Sequence, residues 1–329
     1  MLFKADVKPA RAAGFSNLSA SQSPSFGSAG AARSSDTLIF FPTYNEAETI
    51  GLMLDGLLAL PVRCDLLIVD DNSADGTAGL IEERAKSDGR VRLIVRRGKL
   101  GIGSAHKLGW LHARRLGYSR FVSLDADLSH NPADVPRLLA ALDAGADVAV
   151  GSRFAPGGRL DYEGWRLFLS SNANRFARLL LQLPLYEYTT SLRAAKLDRV
   201  PPGLVEGIAG QGYGFFLNCV VRFAREKLAI TEVPIHFRNR HRGESKIPRL
   251  ELLRGMANLL LLTVDRRRVK AAALPDSSCP ACGGHYRVAT RSGGVSCLEC
   301  LAMDRTPHHD FELIGAPAAA RDVAERPRP

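Results

Sequence analysis

FVSLDADLSHNP, Phe121 to Pro132, reads as an apolar strand that ends by delivering two carboxylates, Asp125 and Asp127, one residue apart. Carboxylates so placed suit a Mg2+ or Mn2+ ion that also holds a substrate's phosphates, because these hard cations are shared between one or two carboxylates and a phosphate chain. Alone, two acids in a loop read more often as a solvated turn. The choice therefore rests on the surrounding chain.

From Thr37 to Val150, apolar strand-like runs at Leu38–Phe41, Leu66–Val69, Val91–Val95, Phe121–Leu124 and Asp147–Val150 alternate with segments of helical period such as Ile50, Met53, Leu54, Leu57 and Leu58. Short apolar strands joined by crossovers predict an α/β fold: a mainly parallel, Rossmann-like sheet with helices on both faces and ligands at the strands' carboxyl ends. The informative polar residues follow those ends, in Pro42-Thr43-Tyr44-Asn45-Glu46, Asp70-Asp71-Asn72-Ser73 and Asp125-Ala126-Asp127. Three loops are expected to converge on one crevice. Taken singly, each has a plain structural reading: Asn72 and Ser73 cap a helix and form a turn, and Gly101-Ile102-Gly103-Ser104 is backbone punctuation.

As an ordered set, PTYNE after the first strand, VDDNSADGT after the second, KLGIGSA before the next helix and DADLSH after the fourth strand resemble the GT-A glycosyltransferases of family two. Within that family the chain is most similar to the dolichyl- or polyprenyl-phosphate mannosyltransferase branch. The likeness continues through Gly151-Ser152-Arg153-Phe154, Trp165-Arg166 with Ser170, Glu187-Tyr188-Thr189-Thr190-Ser191-Leu192-Arg193 and Arg240-His241-Arg242-Gly243-Glu244-Ser245-Lys246, covering about Thr37 to Asp265.

The resemblance implies that Pro42, Tyr44, Glu46, Val69 and Asp71 hold the nucleoside of a nucleotide-sugar donor, with GDP-mannose the first expectation. Asp70 ligates the nucleotide or orients its loop. Asp125 and Asp127, with the Ala126 backbone between them, would bind the ribose and a Mg2+ or Mn2+ ion bridging the diphosphate. The implied acceptor is a polyprenyl or dolichyl monophosphate. A phosphate monoester has a second pKa near 6, so it is already an ionised nucleophile at neutral pH and needs clamps rather than a base. Arg153, Arg166, Arg240 and Lys246 stand at the matching positions for such clamps, and with Asp127 they form the expected catalytic set. The implied step is a single inverting displacement at the anomeric carbon.

The chain has 329 residues, 46% of them hydrophobic and 24% charged, which allows one large domain and a small appendage. Residues 1–36, rich in Ala, Ser and Gly, read as a disordered leader; 37–268 as the glycosyltransferase domain; 269–304 as a zinc ribbon; 305–329 as a tail without fold. The ribbon rests on Cys279-Pro280-Ala281-Cys282 and Cys297-Leu298-Glu299-Cys300, separated by fourteen residues, the spacing of four thiolates closed around a structural zinc. Two disulfides are the alternative. Cys64 and Cys219 read as core residues.

A net charge of +10 points to an anionic partner. The apolar run Met256 to Val264 is far short of the roughly 20 residues that span a bilayer, so no transmembrane helix is expected. Arg166 to Leu185, and Leu250 to Val264 with Asp265-Arg266-Arg267-Arg268 at its end, read instead as interfacial helices of a peripheral protein at the cytoplasmic membrane face, or as helices packed on the domain. Two other functions are compatible with the sequence. One is transfer to a hydroxyl acceptor, which needs a carboxylate base, with Glu187 or Glu206 as candidates. The other is nucleic-acid binding by the ribbon, disfavoured because Tyr286 stands nearly alone there as an aromatic residue.

Overall fold

The computed structural model describes residues 33–96, 98–161, 165–208 and 214–239, with the short stretches 287–289, 295–297 and 311–314; for 165–169 and the three short stretches the backbone alone is described. Strands and helices alternate from the start: β1 (Thr37–Thr43), α1 (Ala47–Leu58), β2 (Asp65–Asp70), α2 (Thr77–Ser87), β3 (Val91–Arg96), α3 (Ile102–Arg115), β4 (Arg120–Ser123), α4 (Val135–Asp143) and β5 (Val148–Ser152). All five expected strands are present. Then come β6 (Arg159–Leu160), α5 (Trp165–Leu181), β7 (Arg193–Lys196), α6 (Gly214–Arg225), β8 (Ile230–Pro234), β9 (His236–Phe237), β10 (Arg287–Ala289), β11 (Val295–Cys297) and β12 (Phe311–Ile314).

The main sheet has the order β12-β3-β2-β1-β4-β7-β5-β8. Strands β3, β2, β1 and β4 are mutually parallel, as are β5 and β8, while β7 runs antiparallel between β4 and β5. Because the chain steps from β1 to β2 and β3 and then jumps to β4 on the other side of β1, the strand order reverses at β1 and β4. In an open α/β sheet that reversal opens a crevice beyond the carboxyl ends of the strands.

The alternation within each strand explains the two-faced core. Leu38, Phe40, Leu67, Val69, Ile94 and Phe121 pack with α3 and α6, whereas Ile39, Phe41, Leu66, Ile68, Leu93 and Val122 pack with α1, α2 and α4. Each fully buried large aliphatic or aromatic side chain contributes about 1.5–3 kcal/mol of transfer free energy, so the two layers hold the strand ends in place. Helix α3 lies close on the sheet at Gly109, where a methyl group would collide with the Phe40 ring. Cys64 and Cys219 are buried free thiols, as expected, and burial pushes both up to about 11.

Two boundaries differ from the sequence reading. Residues 33–36, assigned to the leader, lie against the domain: Ser34 N–H donates to Asp65 at 3.1 Å and Asp36 pairs with Arg120 at 3.0 Å. Residues 311–314, assigned to a structureless tail, form β12, antiparallel to β3 with Phe311 opposite Arg96. An edge strand has unpaired amides and carbonyls on its open side, and β12 satisfies those of β3. Between the two cysteine pairs β10 and β11 form an antiparallel ladder with Arg287 opposite Cys297. Cys279, Cys282 and Cys300 lie outside the described residues, and of Cys297 only the backbone is described.

Candidate active site

The loops after β1 and β2 are stitched together by side-chain hydrogen bonds. Asp70, with no exposed surface, accepts from Thr43 Oγ1 at 2.8 Å, from Ser73 Oγ at 2.6 Å and from Ser73 N–H at 2.8 Å. These bonds tie the end of β1 to the loop after β2. Ser73 Oγ accepts the Asn45 N–H at 2.8 Å, and Asn45 Oδ1 accepts the Ala74 N–H at 3.0 Å. Asn45 and Asn72 sit at φ of 56° and 60°, the left-handed region that asparagine tolerates better than most residues. The polar residues of these motifs thus close turns, and the closed turns present Pro42, Tyr44 and Glu46 half-buried at the crevice.

Of the expected nucleoside-binding residues, Val69 has no exposed surface and belongs to the core, so it supports the crevice floor rather than lining it. Asp71 is almost fully buried, and its Oδ1 accepts from Arg96 Nε at 2.5 Å. Arg96 is itself buried; its Nη1 donates to Ser104 Oγ at 2.7 Å. Burial raises the Asp71 carboxyl pKa and lowers that of Arg96, each opposed by the charge of the other. Lys99 Nζ lies 3.9 Å from the centre of the Tyr44 ring, a cation over an aromatic face at the crevice rim. The sequence assigns neither residue a role of its own: Arg96 follows the strand-like run Val91–Val95, and Lys99 opens the KLGIGSA motif.

The carboxylate pair follows β4. Asp125 Oδ1 accepts from Ser191 Oγ at 2.7 Å, and its side chain is 31% exposed, so it reaches the open crevice. Asp127 is almost buried; Ser129 donates to its Oδ1 through the backbone N–H at 3.1 Å and through a short hydroxyl contact. Leu128, the residue after Asp127, has φ of 61°, a strained conformation for a non-glycine residue. No cluster of three or more His, Cys, Asp or Glu side chains that could cage a metal occurs among the described residues. Two carboxylates on one short turn do fit Mg2+ or Mn2+ completed by phosphate oxygens and water.

Arg153, just past β5, reaches the same crevice edge but is already engaged. Its Nε and Nη2 each lie 2.7 Å from the Glu187 carboxylate, and Nη2 also donates to Thr189 Oγ1 at 2.8 Å. Burial would raise the Glu187 pKa, but the Arg153 charge and the Thr189 hydrogen bonds outweigh it and hold the carboxyl below its ordinary value. Glu187 is thus a weak base. Glu206 lies elsewhere: its Oε1 is 3.4 Å from Arg114 Nε, in the last turn of α3, and Arg114 donates to the Leu197 carbonyl beyond the end of antiparallel β7. That is the end of the strands opposite the crevice, so neither candidate base is placed for deprotonation.

Because β7 is antiparallel, its beginning lies at the crevice, and Thr190 and Ser191 meet the carboxylate loop there. Arg238 N–H donates to the Ser129 carbonyl at 3.0 Å, bringing the stretch after β9 to the same loop. Arg240 and Lys246, expected as clamps, lie outside the described residues, and of Arg166, in the first turn of α5, only the backbone is described.

Residues 38–199 match the profile of glycosyl transferase family 2. The polyprenol monophosphomannose synthase of Mycolicibacterium smegmatis is 38% identical over 213 residues, 64% of this chain and 80% of the relative. The undecaprenyl-phosphate mannosyltransferase of Micrococcus luteus is 38% identical over 211 residues, 64% of this chain and 86% of the relative. Among solved structures, glucosyl-3-phosphoglycerate synthase of Mycobacterium tuberculosis, in complex with Mn2+, UDP-glucose and phosphoglyceric acid, shares the fold at TM-score 0.50 and 22% identity, over 71% of this chain and 82% of that one. The shared profile spans the three loops that meet at the crevice, and the identity extends over most of each curated relative. The chain belongs to glycosyl transferase family 2 and is a glycosyltransferase.

Proposed function

We propose that the protein transfers mannose from GDP-mannose to a polyprenyl monophosphate, with inversion at the anomeric carbon. The observation that carries this reading is the state of Glu187. A hydroxyl acceptor needs a base, yet Glu187 is locked against Arg153 and Glu206 lies at the opposite end of the strands. An ionised lipid phosphate needs none. The names of the two curated relatives support the same choice of sugar and acceptor.

In this reading Tyr44, Glu46 and Asp71 hold the nucleoside, Asp71 being fixed by Arg96. Asp125 and Asp127 receive the ribose and the diphosphate. A Mg2+ or Mn2+ ion, when bound, neutralises charge on the leaving diphosphate. Arg166, Arg240 and Lys246 compensate the acceptor's charge, so that a phosphate oxygen approaches the anomeric carbon as the bond to the nucleoside diphosphate breaks. The products are a polyprenyl phosphate mannose and GDP. Arg153 takes part chiefly by shaping the crevice with Glu187.

The acceptor's tail implies a membrane surface. No helix among the described residues is long and apolar enough to cross a membrane. On α5, however, Leu179 is 72% exposed and Phe176 is partly exposed; Arg178 lies over the ring of the equally exposed Tyr186, at 4.2 Å. Apolar side chains beside arginines suit a peripheral contact with anionic headgroups at the cytoplasmic face. The four cysteines Cys279, Cys282, Cys297 and Cys300 are read as one structural zinc site, separate from the chemistry. Nucleic acid is not an expected partner.

The test is a panel of radiolabelled nucleotide sugars offered to purified protein with Mn2+ and a polyprenyl phosphate, followed by lipid extraction. GDP-mannose should label the lipid phase. Labelling from a different nucleotide sugar, with none from GDP-mannose, would contradict the donor assignment.

A further inference from the structure

His130 closes the DADLSH motif and is 1% exposed, yet no step described above uses it. Its Nδ1 accepts the Asp125 backbone N–H at 3.2 Å. A backbone amide can only donate, so the ring's proton resides on Nε2, which donates to Thr190 Oγ1 at 3.3 Å. Thr190 Oγ1 also accepts the Leu192 N–H at 3.2 Å, which ties it to the start of β7. The imidazole stands edge-on to Phe237, centroid to centroid 5.1 Å at 78°. One side chain therefore touches the carboxylate loop, the entrance to β7 and strand β9, which leads into the basic segment 240–246.

We infer that His130 is a positioning residue that fixes the direction in which Asp125 and Asp127 project toward a metal-bound diphosphate; this rests on the donor reading. The loop needs such an anchor. Leu128 holds a left-handed φ directly after Asp127, between the acid pair and His130, and a strained turn relaxes unless its flanks are held. His130 holds the main chain of Asp125 while Ser191 holds its carboxylate at 2.7 Å. Groups that orient metal ligands from behind commonly change metal affinity by about 10–100-fold when lost.

Two isosteric replacements separate positioning from packing. In His130→Asn the Oδ1 atom stands near the place of Nδ1 and can still accept the Asp125 amide; in His130→Leu nothing can. A packing role alone favours leucine, because asparagine buries a polar group. Calorimetric titration of GDP, with UDP in parallel, is run with Mn2+ and again with EDTA, beside thermal midpoints. The expectation is that His130→Leu weakens Mn2+-dependent nucleotide binding by about tenfold or more. His130→Asn should stay within about threefold of wild type while melting lower, and binding in EDTA should be the same in all three.

Leucine binding as tightly as wild type, or asparagine as weakly as leucine, would overturn the inference. Should the leucine variant not fold, Thr190→Val removes the Nε2 partner instead and should weaken Mn2+-dependent binding by about threefold, with unchanged binding again overturning it. If wild type binds neither nucleotide in a Mn2+-dependent way, the donor reading itself fails and the inference falls with it. A wild-type signal without any difference among variants refutes the inference alone.

Discussion

At Glu187 a carboxylate without exposed surface faces a guanidinium through two parallel contacts of 2.7 Å. Removing one partner of such a pair leaves a buried charge uncompensated, which typically costs about 3–5 kcal/mol. Glu187→Gln should therefore lower the free energy of unfolding by about that amount in urea denaturation, and a change near zero would show that Arg153 is solvated. The sequence made Arg153 a clamp and Glu187 a possible base, because each type carries that role elsewhere. Their mutual distance decides otherwise, and no spacing in the chain reveals it. By contrast the place of Asp125 and Asp127 just past the end of β4 was legible, since the apolar run before them marks that strand. His130 and Arg96 were not, because each acts through a partner brought near by the fold.

Among the elements, the five parallel-type strands could be read because each is a short apolar run bounded by turn residues. Strand β7 escaped because Arg193-Ala194-Ala195-Lys196 has neither a long apolar run nor β-branched residues, and its place between β4 and β5 comes from long-range pairing. Helix α3 carries a feature that the sequence leaves silent, two buried histidines. Burial lowers His106 to about 3 and His112 to about 4, from an ordinary value of 6.5. Below pH 6.5 the unfolded chain takes up protons that the folded chain refuses, so stability is full above that value and falls as the pH drops toward 4. Between pH 6.5 and 5.5 each histidine should cost about 1 kcal/mol. Denaturant titrations at those two pH values measure the slope, and His106→Phe should reduce the change between them by about 1 kcal/mol. A stability independent of pH in that window would mean that the rings are hydrated.

For the whole molecule, the fold and the location of the crevice followed from the order of motifs, whereas the edges of the domain did not. Residues 33–36 and 311–314 join the body through hydrogen bonds to Asp65 and to β3, which low sequence complexity conceals. The proposed membrane face gives a separate expectation. Leu179→Glu alters an exposed position and should leave the stability within about 0.5 kcal/mol. The same change should weaken binding to phosphatidylglycerol vesicles by about tenfold, as loss of one inserted leucine predicts. Equal vesicle binding by mutant and wild type would remove α5 from the contact.

The central claim is that this crevice joins mannose to an acceptor that arrives already ionised. The most direct measurement compares undecaprenyl phosphate with undecaprenol as acceptors, using GDP-mannose, Mn2+ and the full-length protein, with Asp127→Ala alongside. The account predicts mannosyl transfer to the phosphate, none above background to the alcohol, and a loss of about 100-fold or more in Asp127→Ala. Transfer to the alcohol at a comparable rate, or undiminished turnover by Asp127→Ala, would contradict it.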